Sequence, residues 1–229
     1  MAKLLKPGDV VPFTPPGQDH LAEGKRIRYH LKVPAVHERP GLKRAVLSAG
    51  GRLHAPLTLW QACQAALVAV YGDDIPETFT AVMSEVKDAG QAAAESYLAL
   101  PEANGPEARA VFTEAAMRYQ ASMAVFAVVA NEVAPFSQQL ADMLADNAVY
   151  HDIVGVAASR LFLTGWDNLS QPFKRGPKGV PDDLLAVIPP HHIPAIGHEL
   201  ERLMAPTEPE AGNSDSPSPG PSEPGTSTV

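Results

Sequence analysis

Across residues 40–204 the apolar side chains recur at three- and four-residue spacing, in stretches that mostly open on proline, the first two closing on glycine. That period matches the turn of an α-helix and not the two-residue repeat of a strand, so it commits most of the chain to helix. Pro40 suits a first-turn position, with Leu42, Val46 and Leu47 following and Gly50-Gly51 supplying the stop. A second helix is expected over 56–71, with Trp60, Cys63, Leu67, Val70 and Tyr71 on one stripe and Gly72 at its end. A third starts at Asp74-Ile75-Pro76-Glu77, where Asp74 and Glu77 have capping-box spacing, and carries Phe79, Val82, Met83 and Val86. The Ala-rich stretch 89–99 either continues it past Gly90 or breaks there.

A longer helix is expected from Pro106-Glu107 to Val133, with Val111, Phe112, Ala115, Tyr119, Met123, Phe126 and Ala130 on its stripe. Residues 121–130 are almost wholly apolar, which implies burial on most sides. Pro135 opens another helix carrying Leu140, Met143, Leu144, Val149, Ile153, Val156, Ala157 and Leu161, with a bend expected near Asn147 or Gly155. Two short helices are expected at 181–188 and 193–204.

The first forty residues differ. Val10-Val11-Pro12-Phe13 is a short apolar stretch ending in the turn-rich Thr14-Pro15-Pro16-Gly17. Ile27, Tyr29, Leu31 and Val33 then alternate with Arg28, His30 and Lys32, the pattern of a half-buried strand, and Pro34 ends it. Two short strands make a marginal hairpin alone, so helices are expected to cover the apolar face. Gly165-Trp166-Asp167-Asn168-Leu169 and Pro172-Phe173-Lys174-Arg175-Gly176 read as a loop region. Residues 205–229 hold six prolines and no aromatics, too little apolar surface to offset ordering entropy, so a disordered tail is expected. The fold expected is mainly α: a hairpin segment (1–39) packed on a helical domain (40–204), followed by that tail (205–229).

Charge and composition exclude several classes. The chain of 229 residues carries a net charge of −8, divided unevenly. Residues 1–60 hold ten Lys/Arg against four Asp/Glu, and the remainder is strongly acidic. Nucleic-acid binding is not expected, because phosphate contacts need a denser basic stripe interleaved with aromatics. Cys63 is the single cysteine, which excludes a disulfide framework and Cys-based metal sites and fits a reducing cytoplasm. No apolar run approaches a membrane span, and the amino terminus lacks the apolar centre of a secretory signal. A soluble, cytoplasmic chain is expected.

Catalytic patterns are weak. His191-His192 with His198-Glu199 is the densest ligand cluster, but its seven- and six-residue separations do not match the i, i+4 pair of a zinc helix. His37-Glu38 and Tyr150-His151-Asp152 offer acid–base types with nothing to fix them together. Ser48-Ala49-Gly50 lacks the preceding glycine of a nucleophile elbow. Asp73-Asp74 and Asp182-Asp183 each stand just ahead of an expected helix, where negative charge complements the dipole. Cys63 reads as a small core residue. No catalytic residue, metal site or cofactor is expected.

The ends of the chain carry the more informative pattern. Early on stand Pro12-Phe13, Arg28-Tyr29-His30-Leu31-Lys32-Val33-Pro34, His37-Glu38-Arg39, Lys43-Arg44-Ala45-Val46 and Ala49-Gly50-Gly51-Arg52-Leu53-His54. Late on stand Gly165-Trp166-Asp167-Asn168-Leu169, Pro172-Phe173-Lys174-Arg175, Val180-Pro181-Asp182-Asp183-Leu184-Leu185 and Ile188-Pro189, then an acidic helix and a Glu/Asn/Ser/Pro tail. This layout resembles the tail assembly chaperones of long-tailed bacteriophages and prophages, over about half the chain. The resemblance implies a non-catalytic protein of the host cytoplasm that binds the tape measure protein, a long, helix-rich, aggregation-prone chain. It further implies help to tail tube protein assembling around that client, and departure before the virion is complete. Self-association stays open as a further contact.

Hypothesised contact residues are Trp166, Phe173, Lys174 and Arg175, since large aromatic and cationic groups in loops commonly anchor interfaces. Trp166 could equally be a cap closing the helical core. The rivals are another phage morphogenesis protein, such as an adaptor retained in the particle, a helical enzyme or small-ligand protein, and a nucleic-acid-binding regulator using residues 25–52. A deep polar pocket joining His37, His54 or His151 to a carboxylate would favour the second.

Overall fold

The computed structural model describes residues 5–103 and 105–205, the side chains of 101–103 excepted; the expected disorder after Ala205 lies outside the described residues. Among them the order is β1 (Val10–Phe13), β2 (Arg28–Lys32), α1 (Arg39–Ser48), α2 (Pro56–Tyr71), α3 (Glu77–Ala103), α4 (Pro106–Val133), α5 (Gln138–Phe162), β3 (Leu163–Asp167), α6 (Asp182–Leu185) and α7 (His192–Met204). The chain is mainly helical. By its internal contacts it divides into two compact units, and the division falls within α1 and within α5: Arg44–Val154 forms one unit, and the segments on either side form the other.

The central unit is built from the stripes read in the sequence. Leu59, Ala62, Cys63, Ala66 and Leu67 of α2, Met83 and Val86 of α3, Phe126, Val129, Ala130 and Val133 of α4, and Leu140 and Met143 of α5 make one core. Cys63 lies in it, and burial pushes its thiol up to about 11, so it is an inert packing residue. Helix α3 passes Gly90 without a break. A glycine inside a helix costs roughly 1 kcal/mol relative to alanine, and the reason for it lies across the hairpin. A Cβ there would stand 3.1 Å from the ring of Tyr119 on α4. The pair is fastened further by the bidentate ion pair of Arg118 with Glu85, both bonds 2.8 Å, and by the tilted contact of the Tyr97 and Phe112 rings, 5.7 Å apart.

One expectation for α4 does not hold. Its 121–130 stretch is buried on one side only: Ser122, Phe126, Val129 and Ala130 face inward, whereas Ala121, Ala124, Val125, Ala127 and Val128 are exposed. The apolar content exceeds what the core of this unit can cover.

The terminal unit holds the sheet. β1 pairs antiparallel with β2, Val10 opposite Lys32 and Phe13 opposite Tyr29. As the alternation requires, Tyr29 and Leu31 are fully buried while Arg28, His30 and Lys32 are half-exposed. The sheet has a third member that the sequence reading placed in a loop. β3 adds to the free edge of β2, with Trp166 opposite Tyr29 and a register shift between His30 and Leu31. Gly165 and the turn-forming Asp-Asn that follows hide a strand only five residues long.

Candidate partner-binding site

The four residues singled out in the sequence lie on β3 and the segment after it, and the structure gives each a different situation. Trp166 is a strand residue, 9% exposed. Its indole N–H donates to the Gln171 carbonyl at 2.8 Å, which folds the following loop back over it. Phe173 meets the Trp166 ring edge-on at 4.8 Å and stays half-exposed. Arg175 donates to the carbonyls of Leu163 at 2.9 Å and Leu161 at 2.7 Å, where a cation complements the orphan carbonyls and dipole of the α5 terminus. Lys174 is exposed. Trp166 and Arg175 therefore tie the loop down, and Phe173 and Lys174 are the members presented outward.

The ends of this loop are anchored as firmly. Asn168 sits at φ 64°, where asparagine is tolerated, and its Nδ2 donates to the carbonyls of Gly24 and Arg26. Gly179 (φ +98°) lies so near the Arg160 carbonyl that no side chain fits, and the next amide, of Val180, donates to that carbonyl. Beside Asn168 a polar cleft of about 520 Å³ is lined by Glu23, Gly24, Arg26, Arg28, Asp167 and Asn168. Its charges are spent locally: Arg26 donates to the Leu21 and Asp19 carbonyls, Arg28 lies 4.0 Å from Glu23, and Asp167 meets His30 at 3.0 Å.

The other candidate residues serve local structure. Glu38 accepts from Lys32 at 2.5 Å and from the Ala35 amide at 2.9 Å, and these bonds hold its carboxyl below the usual range. Asp182 stands in the first turn of α6 and pairs with Arg160. Glu199 is gripped by Arg202 within α7. His192 is buried and its Nδ1 meets the Tyr29 hydroxyl. His54 does reach a carboxylate, Asp146 at 3.0 Å, and Asn147 beside it accepts from the His54 amide and donates to its carbonyl. That three-bond clasp fastens the chain before α2 to α5.

In the central unit an apolar groove of about 330 Å³ opens between α2, α3 and α4, lined by Pro56, Leu57, Trp60, Val86, Lys87, Gly90, Gln91 and Tyr119. The Trp60 indole donates to the Met83 carbonyl, so its ring is fixed as a wall. Leu57 is 66% exposed at the rim. Sequence reasoning placed Trp60 on the core stripe and gave no sign of the groove, whose lining is assembled from three helices and includes Gly90.

Comparison with protein-family models, with curated proteins and with solved structures finds no match to this chain. No helix among the described residues is long and apolar enough to cross a membrane.

Proposed function

We propose that this chain is a non-catalytic tail assembly chaperone of a long-tailed bacteriophage or prophage, which holds the tape measure protein soluble while tail tube protein assembles around it. The resemblance at the two ends of the sequence supplies the identity. The observation that carries the mode of action is the surface of the central unit. Its helices leave Leu57, Tyr97, Leu98, Met117, Val125 and Val128 more than half exposed. The same unit holds five Lys/Arg against thirteen Asp/Glu. Apolar surface on an acidic body is suited to holding amphipathic helices of a client while keeping the complex dissolved.

On this reading Phe173 and Lys174 are contacts, and Trp166 and Arg175 hold them in place. Of the eight Lys/Arg in residues 25–52, Arg26, Arg28 and Lys32 are engaged within the chain, and no aromatic stripe interleaves the rest, which weighs against the nucleic-acid reading. The test is where the protein ends up. Mass spectrometry of an infected lysate and of purified virions should detect the chain in the first and not in the second. A fixed copy number in virions would favour the retained adaptor instead.

A further inference from the structure

The exposed side of α4 is more ordered than a scatter of surface apolar residues. At 100° per residue, Glu114, Met117, Ala121, Val125, Val128 and Glu132 fall within an arc of about 80°, its centre about 140° round the helix from the buried Phe126. Met117 is 65% exposed, Val125 53% and Val128 59%, and Ala121 and Ala124 lie open between them. The apolar line runs about 16 Å, and the two glutamates that bracket it stand about 27 Å apart. Arg118, the cation nearest the line, is committed to Glu85 by two hydrogen bonds, and Arg109 falls outside the arc. The face is thus an apolar stripe with a carboxylate at each end that forms no ion pair among the described residues.

We propose that this face of α4 docks an amphipathic helix of another protein, one with an apolar stripe flanked at both ends by Lys or Arg. The charges select that occupant over the alternatives. A second copy of this chain lying antiparallel and centred on Met123 would set Glu114 against the partner's Glu132. A parallel pair would set each glutamate against its own counterpart. Like charges so placed repel, and sliding one helix to separate them uncovers the stripe. The segment 206–229 cannot fill the role either, having four acidic and no basic residues. An anionic membrane is disfavoured by the same carboxylates. The identity of the helix as part of the tape measure protein rests on the function proposed above; the docking chemistry does not.

Two fluorescent peptides of about 20 residues test it, sharing one Leu/Ala stripe, with Lys at the flanking positions in one and Glu in the other. The full chain should bind the Lys peptide at least about tenfold more tightly than the Glu peptide, a gap that narrows as salt rises. Met117→Gln/Val125→Gln/Val128→Gln, changes at exposed positions to a good helix former, should leave the circular dichroism and melting unchanged and cut binding of both peptides. Glu114→Gln/Glu132→Gln should abolish only the preference between them. Equal binding of the two peptides by the unaltered chain, or binding indifferent to the triple substitution, overturns the proposal. So does a dimer of the free chain that the triple substitution dissolves. If the triple variant loses the peptides yet still keeps the tape measure protein soluble, the surface stands and its link to that client falls. If the unaltered chain binds the Lys peptide but never solubilises the client, the chaperone reading falls alone.

Discussion

The Tyr29 hydroxyl on β2 lies 2.9 Å from Nδ1 of His192 at the start of α7, two fully enclosed groups 163 positions apart in sequence. Their rings meet edge-on at 5.7 Å. Burial drives the phenol pKa up and, together with the neighbouring His191, drives the imidazole down from its ordinary 6.5, so both groups are neutral at pH 7 and share one hydrogen bond. Below about pH 6.5 the unfolded chain takes up a proton at this imidazole that the folded chain refuses. Stability is therefore full above that value and falls as the pH drops through the lower folded pKa. Thermal melts from neutral to mildly acid pH should show the fall, and His192→Gln should flatten it. Tyr29→Phe strands Nδ1 in the interior and should cost about 1–3 kcal/mol.

Gly179 and Gly155 are places where the backbone of one element touches another. A Cβ on Gly179 would lie 2.1 Å from the Arg160 carbonyl oxygen, and one on Gly155 would lie 2.1 Å from that of Ile193. Gly179→Ala and Gly155→Ala should each lower stability by about 2 kcal/mol or more, Gly179→Ala the more because its φ of +98° adds strain. Gly24→Ala, with open space around its Cβ, is the control and should melt like the parent.

Ser159 on α5 is completely buried, and its hydroxyl has no hydrogen-bond partner among the described residues. An unpaired hydroxyl in an apolar setting is a cost that the alanine side chain avoids. Ser159→Ala should stabilise the fold by about 1 kcal/mol, read as a higher denaturant midpoint at an unchanged slope.

Trp166 and Phe173 separate structure from contact. With its ring buried and its N–H bonded to Gln171, Trp166→Ala should lower stability by about 3–5 kcal/mol. Phe173→Ala with Lys174→Ala, at the outward positions, should cost only about 1 kcal/mol, for the edge-on contact with Trp166, and weaken client capture. Unchanged capture in that second variant would remove the loop from the contact surface.

The sequence made legible what periodicity encodes. The alternation Ile27 to Val33 gave β2 its faces, and the boundaries read for α4, 106–133, match the structure because Gly105-Pro106 and Ala134-Pro135 mark both ends. Two features escaped it. β3 is short, contains Gly165 and runs into Asp167-Asn168, so its local signals are those of a turn; pairing with β2, 135 residues away in register, makes it a strand. The outer face of α4 escaped for a different reason. Ten apolar or small residues in a row look the same whether the core or a partner is to cover them, and only exposure in the folded chain tells Phe126 from Val125.

The central claim is that this chain keeps a long helical protein in solution through surface contact alone. The direct measurement is co-expression with the tape measure protein, comparing its soluble and pelleted fractions with and without this chain. The account predicts a shift of the client into the soluble fraction, in a complex that co-elutes on gel filtration. A client that pellets equally in both cultures would contradict it.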